Sequence, residues 1–265
     1  MVAGEGKLKP SLLELRKVTK RFLGLPAVQD VSFAARPGEV TGFLGPNGSG
    51  KSTTLKMIAA LIEPSDGDIL FQGVPIERDR IAHRHRLGYV PEEPHLYGHL
   101  TGLEYLVMVG QLRGIPERDL ARKIESFLRL LSIYQDRNVP IVSYSKGMRQ
   151  KILLTAALFH NPEIVLLDEP FSGLDVNSAL ILRGLIHELT TRNKIVLLSS
   201  HELDTVERIC SHVVILHRGR VVADDSIEQL RTRMSLQDLE EIFSQVAIEQ
   251  DTGAIARQLG QVIEL

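Results

Sequence analysis

The sequence is poor in cysteine: Cys210 stands alone among 265 residues. No internal disulfide can form, so the chain is at ease in a reducing compartment. Long apolar runs are also missing. The stretch from Ile152 to Phe159 is among the longest, far short of the ~18–20 residues that a membrane-spanning helix needs. Nor is there a surplus of charge of either sign. Lys and Arg number 31 against 33 Asp and Glu, a net charge of -2, whereas a nucleic-acid binder is more often clearly basic. Residues 1–10 have no apolar core and read as a flexible leader, not a signal peptide. No internal repeat or low-complexity tract interrupts the chain. What remains is ordinary globular composition, with 43% hydrophobic residues, enough for a sizeable core in one large domain or two small ones.

One stretch organises the rest. Gly45-Pro46-Asn47-Gly48-Ser49-Gly50-Lys51-Ser52 fits the phosphate-loop pattern G-x-x-x-x-G-K-[ST]. The residues before it, Glu39 to Leu44, read as a strand, and Thr53 to Leu61 read as a helix with apolar residues at 3.6-residue spacing. In that setting glycines let the backbone wrap a phosphate, and loop amides with the helix N-terminus aim partial positive charge at the anion. Lys51 adds a full charge for the β- and γ-phosphates, and Ser52 offers a hydroxyl to Mg²⁺.

Around this unit the chain changes texture. Leu12–Val18 and Val28–Ala34 read as strands flanking a Gly24/Pro26 turn, with Phe22 just before it. Asp66-Gly67 is a hairpin signal ahead of Asp68 to Gly73. From Leu103 to about Ala157 the pattern is mostly helical, with a helix starting near Pro116 and another near Ser145. Ile164–Leu167 and Ile195–Leu198 are continuous apolar runs separated by a helix from Ser178 to about Arg192, which indicates buried parallel strands. His217 to Arg220 turns a late hairpin. Ser226-x-x-Gln229 and Ser235-x-x-Asp238 resemble helix capping boxes. Residues 248–265 carry no clear pattern.

Two carboxylates, Asp168 and Glu169, end the first apolar run, where open α/β sheets place their ligands. One acid there can hold Mg²⁺ and the next can activate a water. Ser145 to Gln150 opens a helix. Ser145 serves equally well as an ordinary N-cap or, with the Gly147 amide, as a second phosphate surface. His83-x-His85 and His95 lack neighbouring ligands of metal-site spacing and read as a solvated loop. The Arg- and His-rich run from Arg78 to Arg86 reads as a solvated face.

Taken in order, Gly45–Ser52, Tyr144-Ser145-Lys146-Gly147-Met148, Leu166-Leu167-Asp168-Glu169-Pro170, Ser172-Gly173-Leu174-Asp175 and Ser199-Ser200-His201 make the chain resemble an ATP-binding-cassette (ABC) ATPase, the nucleotide-binding subunit of a membrane transporter. The resemblance implies an α/β fold: a P-loop NTPase core with a mostly parallel sheet, an N-terminal antiparallel β subdomain and an inserted α-helical subdomain at about 95–160. The ATPase domain would span 11–240, with a C-terminal extension at 241–265. Catalysis would fall to Glu169 as general base, His201 as switch histidine and Lys51. Phe22 would stack on adenine. Gly45, Pro46, Asn47, Gly48, Ser49, Gly50, Lys51, Ser52 and Thr53 would bind the nucleotide, and Ser145, Gly147 and Asp175 would act across a dimer. Ser52, Asp168 and Glu92 would hold Mg²⁺.

The chain departs from the family pattern twice. The usual L-S-G-G-Q signature is Tyr-Ser-Lys-Gly-Met, and the usual glutamine between core and helical lobe is Glu92. Glu forms occur among subunits resembling multidrug, antibiotic-resistance and polysaccharide exporters. The segment Ser235 to Phe243 resembles endings of subunits paired with separate six-helix permeases, and Asp136 to Val139 stands where bundle exporters carry a different sequence. The resemblance therefore implies ATP and Mg²⁺ as cofactors, a transmembrane permease partner, a homodimer or heterodimer of ATPase subunits, and no nucleic acid. The protein would be cytoplasmic, reaching the inner face of the cell membrane only through its permease, and export is favoured. A soluble cassette ATPase of translation or DNA repair is the alternative. Such proteins carry two cassettes or long coiled-coil insertions, and this chain has neither. A third reading, a nucleotide-binding regulator without turnover, conflicts with the presence of Glu169 and His201.

Overall fold

The apolar runs of the sequence become the central strands of a buried sheet. A computed structural model of the chain describes residues 12–93 and 95–234. The first half runs β1 (Leu13–Phe22), β2 (Leu25–Ala35), β3 (Val40–Leu44), α1 (Lys51–Ile58), β4 (Asp66–Phe71), β5 (Val74–Pro75), α2 (Arg80–His85), β6 (Leu87–Val90), α3 (Gly102–Leu112) and α4 (Glu117–Leu130). It continues through α5 (Lys146–Leu158), β7 (Ile164–Asp168), α6 (Val176–Thr191), β8 (Ile195–Ser199), α7 (Leu203–Ile209), β9 (His212–His217), β10 (Arg220–Ser226) and α8 (Ile227–Met234). Four strands form an antiparallel sheet in the order β2-β1-β4-β5. Six form a second sheet, β10-β9-β3-β8-β7-β6, parallel except at its β10 edge. This is the α/β class expected from the strand and helix pattern.

Strand periodicity divides the core. Ile164 and Leu166 face one cluster, shared with Phe43, Leu55 and the antiparallel sheet. Val165 and Leu167 face the other, shared with Leu182, Ile186 and Val213. Both faces are covered, so the strands read as unbroken apolar runs and not as alternation. A third cluster lies among α3, α4 and α5. Leu120, Ile124 and Leu128 are buried at four-residue spacing on α4, and truncating one of them to Ala would cost ~2–5 kcal/mol. Thr101 and Glu104 cap α3 reciprocally, at 3.2 Å to the Glu104 amide and 2.8 Å to the Thr101 amide. Pro116 precedes α4, with Glu117 and Asp119 in its first turn, where negative charge suits the helix dipole.

Two expectations about turns come out differently. β1 and β2 run longer than the sequence suggested, and Leu23-Gly24 alone makes their turn. Asp66-Gly67 is no hairpin: it lies inside β4, paired with β1 across a register shift. Gly67 has φ +82, and a Cβ there would meet the Lys17 carbonyl oxygen at 2.3 Å. The glycine serves close approach in an irregular ladder. The true hairpin turn is Gln72-Gly73, both at positive φ, as a two-residue turn requires. The late hairpin at His217–Arg220 forms as read, and Ser226 accepts from the Gln229 amide at 3.2 Å to start α8. Among the described residues no helix is long and apolar enough to cross a membrane. Residues 1–10, the Ser235-x-x-Asp238 pattern and 241–265 lie outside the described residues.

Candidate active site

Strands β3, β8 and β7 are neighbours in the sheet and point the same way. The turns leaving them therefore converge, bringing Gly45–Ser52, Ser199–His201 and Asp168–Glu169 together at the carboxyl edge, the position open α/β sheets use for ligands.

The phosphate loop is held from behind. Gly219, in the β9–β10 turn, donates its amide to the Ser49 carbonyl at 3.0 Å, and its own carbonyl accepts from Gln29 at 2.7 Å. Gly50 has φ +105, and a Cβ there would approach the Ala27 carbonyl oxygen at 2.9 Å, so only glycine fits. Helix α1 starts at the next residue with no side-chain cap and no acid in its first turn. Its leading amides are left without a side-chain partner, which is the condition for binding an anion at a helix N-terminus.

Lys51 is folded back on the loop, donating to the Gly45 carbonyl at 2.7 Å. It is only 7% exposed. Burial pulls its ammonium below the ordinary lysine range, while the carboxylates of Glu169, Asp168 and Glu92 favour its charge. Asp168 lies beneath the cleft. Its Oδ1 accepts from Ser199 Oγ at 2.5 Å and from Ser52 Oγ at 3.2 Å. Tyr89 is directed at the other carboxylate oxygen from 3.5 Å, and burial together with the Asp168 charge pushes the phenol above its ordinary range. Glu169 holds a left-handed backbone, φ +48, at a cost of about 1–3 kcal/mol for a non-glycine residue. Its amide donates to Ser199 Oγ at 3.0 Å and to the Ser199 carbonyl at 3.2 Å. Its buried carboxylate lies 2.9 Å from Nδ1 of His201, which is mostly exposed. A carboxylate can only accept there, so the imidazole proton belongs on Nδ1.

A cleft of about 540 Å³ opens beside them, and its lining includes Phe22, Lys51, Ser52, Thr53, Glu92 and Glu169. Asn47 to Gly50 complete the wall on the loop side. Phe22 presents a half-exposed ring, with the Lys20 ammonium 5.2 Å from its centroid. Ser52, Asp168, Glu92 and Glu169 supply only oxygen donors, a set suited to a hard cation such as Mg²⁺. Among the described residues no group of three or more His, Cys, Asp or Glu converges as a metal centre. Together with phosphate oxygens, such a set could make up a magnesium shell.

Ser145, Gly147 and Asp175, expected at the nucleotide, do not line this cleft, and neither do Gly45, Pro46, Asp168 and His201. Ser145 caps α5, accepting from the Met148 amide at 3.2 Å. Asp175 caps α6 through the Ser178 amide at 2.9 Å and hydroxyl at 2.6 Å. Those hydrogen bonds hold its carboxyl below the usual range. His83 corrects the solvated-loop reading of the histidines. It is buried, donates Nε2–H to the Ile58 carbonyl at 2.8 Å, and burial depresses its pKa; His85 and His95 are exposed. Ser199, bonded to the Asp168 carboxylate and to the Glu169 amide, is the residue sequence reasoning undervalued. Its signal is the register Asp168↔Ser199 on adjacent parallel strands, which needs the strand order.

A family profile described as "ABC transporter" matches residues 28–172. The chain is 38% identical over 237 residues to the ABC transporter ATP-binding protein NatA of Bacillus subtilis, covering 88% of this chain and 96% of that one. It is 36% identical over 228 residues to the uncharacterized ABC transporter ATP-binding protein MJ1023 of Methanocaldococcus jannaschii, covering 86% and 82%. A solved structure titled "Structure of ATP binding subunit of ABC transporter" superposes with a TM-score of 0.84 at 33% identity, over 89% of this chain and 99% of that one.

Proposed function

Because the chain belongs to the ABC transporter family, as an ATP-binding ATPase subunit of a transporter complex, we propose that it hydrolyses Mg·ATP between two copies of the subunit to drive export through a separate membrane permease. The observation that carries the dimeric reading is a divided set of phosphate-binding parts. Lys51, Ser52 and Glu169 line one cleft, with His201 hydrogen-bonded to Glu169, while Ser145 and Gly147 at the α5 start are not in its lining. A second copy, head to tail, would bring its Ser145–Gly147 amides to the first copy's nucleotide.

In this reading Phe22 stacks on the base, and the phosphate-loop amides and Lys51 bind the β- and γ-phosphates. Lys51 exchanges the Gly45 carbonyl for phosphate oxygen. Ser52, Asp168 and Glu92 would hold Mg²⁺, which would supply charge neutralisation on the phosphates. Glu169 takes the proton of the attacking water, and His201 orients the Glu169 carboxylate toward the γ-phosphate. Loss of the γ-phosphate removes the contact shared by the two copies and lets them part. A smaller cleft of about 240 Å³ between core and helical lobe, lined by Leu61, Tyr105, Val109 and the cations Arg84 and Arg113, would receive a cytoplasmic segment of the permease. The protein would thus be cytoplasmic and bound peripherally at the membrane's inner face. Glu92 would report γ-phosphate state to that neighbour.

Size-exclusion chromatography of Glu169→Gln with Mg·ATP tests this directly. A dimer that forms only with ATP and turns over slowly is expected. A strictly monomeric protein under those conditions, alone and with its permease, overturns the proposal, and co-purification with ribosomes instead of a permease would favour the soluble alternative.

A further inference from the structure

Lysine at position 146 replaces the first glycine of the usual signature, and the structure gives its side chain a definite place. Its Nζ donates to Ser172 Oγ at 2.8 Å. Its stem fills the space over Gly173, where an added Cβ would meet Lys146 Cδ at 2.6 Å. Gly173 has φ +76, a backbone conformation that strains residues with a side chain. A further hydrogen bond and a close backbone approach join the same segments. Gln150, one turn along α5, donates to the Pro170 carbonyl at 3.4 Å. A Cβ on Gly147 would stand 3.5 Å from the Gly173 carbonyl oxygen. The first turn of α5 is thus fastened to residues 170–173, which follow Glu169 directly.

We propose that Lys146 is a positioning residue that clamps the α5 N-terminus to the loop after Glu169, so that the helix start facing a partner's nucleotide and the carboxylate serving this chain's own nucleotide keep a fixed relation. This rests on the two-copy reading above. The lysine ammonium is directed at Ser172 within its own chain, and not at the amides of Ser145–Gly147. It therefore has no direct part in gripping ATP. Removing it should loosen Glu169 without weakening nucleotide binding.

The test is steady-state ATPase kinetics on Lys146→Met, Ser172→Ala, the double variant and Lys146→Arg. Gel filtration of Lys146→Met in a Glu169→Gln background with Mg·ATP runs alongside. Lys146→Met should lower kcat about fivefold, the scale of one ordinary intramolecular hydrogen bond, fitting an exposed one, with KM for ATP within about twofold. Ser172→Ala should lose a similar factor. The double variant should be no worse than the poorer single one, because both changes remove one link. Lys146→Arg should recover most of the rate, and the ATP-dependent dimer should persist. The proposal is overturned by an unchanged kcat, by losses that multiply in the double variant, by a defect confined to KM, or by disappearance of the dimer. Ser172→Ala alone keeps the comparison available if Lys146→Met misfolds, as judged by circular dichroism. An inactive unsubstituted protein would instead count against the ATPase reading itself.

Discussion

Replacing Ser199 with alanine removes a hydroxyl that is fully buried and bonded to both acidic residues of the site. Its short donation to Asp168 Oδ1, 2.5 Å, is charge-assisted, a class that contributes about 1.5–3 kcal/mol. The second bond, from the Glu169 amide at 3.0 Å, is partly replaced, because the same amide also reaches the Ser199 carbonyl at 3.2 Å. Asp168 keeps the Ser52 hydroxyl at 3.2 Å and is not left bare. The net loss should therefore be about 2 kcal/mol. For a chain of this size each 1 kcal/mol moves Tm by about 2–4 °C, so Ser199→Ala should melt about 4–8 °C lower. Differential scanning calorimetry at pH 7 measures it. Ser200→Ala is the control: among the described residues that hydroxyl accepts from the Glu202 amide alone, at 3.0 Å, and its loss should cost about 1 kcal/mol. Turnover of Ser199→Ala should also fall about tenfold, because Glu169 is held in a disfavoured conformation that this bond supports. A melting temperature within 1 °C of the parent, about 0.3–0.5 kcal/mol on the same scale, would refute the view that Ser199 anchors the Asp168 carboxylate and the Glu169 backbone.

Other outcomes follow from the same geometry. Phe22→Ala should weaken ATP binding by about 5- to 150-fold, the worth of one base–aromatic stack, while Phe22→Tyr should bind normally; isothermal titration calorimetry separates the two. Chelation with EDTA should abolish hydrolysis, and added Mg²⁺ should restore it, with Ser52→Ala needing more Mg²⁺ for half-maximal rate. His160 gives a pH effect. Burial, helped by the nearby Arg113, pushes its pKa down to about 4 from the ordinary 6.5. The unfolded chain then takes up a proton that the folded chain refuses, so stability falls as pH drops from about 6.5 toward 4. A His160→Gln variant should show a flatter melting profile across that window, and an unchanged slope would count against it.

How far the sequence reveals this molecule depends on how local each cause is. The phosphate loop is legible because its spacing is contiguous. β7 and β8 are legible because burial on both faces leaves unbroken Ile/Val/Leu runs, and Ser145 as a cap is visible from its place before a helix. Asp66-Gly67 misleads because the same dipeptide suits a turn and a strand irregularity, and only the pairing of β4 with β1 decides between them. His83 misleads because polar neighbours hide a single inward position on a six-residue helix. Ser199 and Lys146 depend on contacts between segments 31 and 26 residues apart in sequence, which no window of the chain displays.

The brace behind the phosphate loop sets an order on biosynthesis. Residues 45–52 leave the ribosome early, yet the glycine that supports Ser49 is residue 219, and synthesis runs from the N-terminus. A nascent subunit therefore carries its most recognisable motif long before that motif can be locked into shape, and nucleotide capture during translation should await the β9–β10 hairpin.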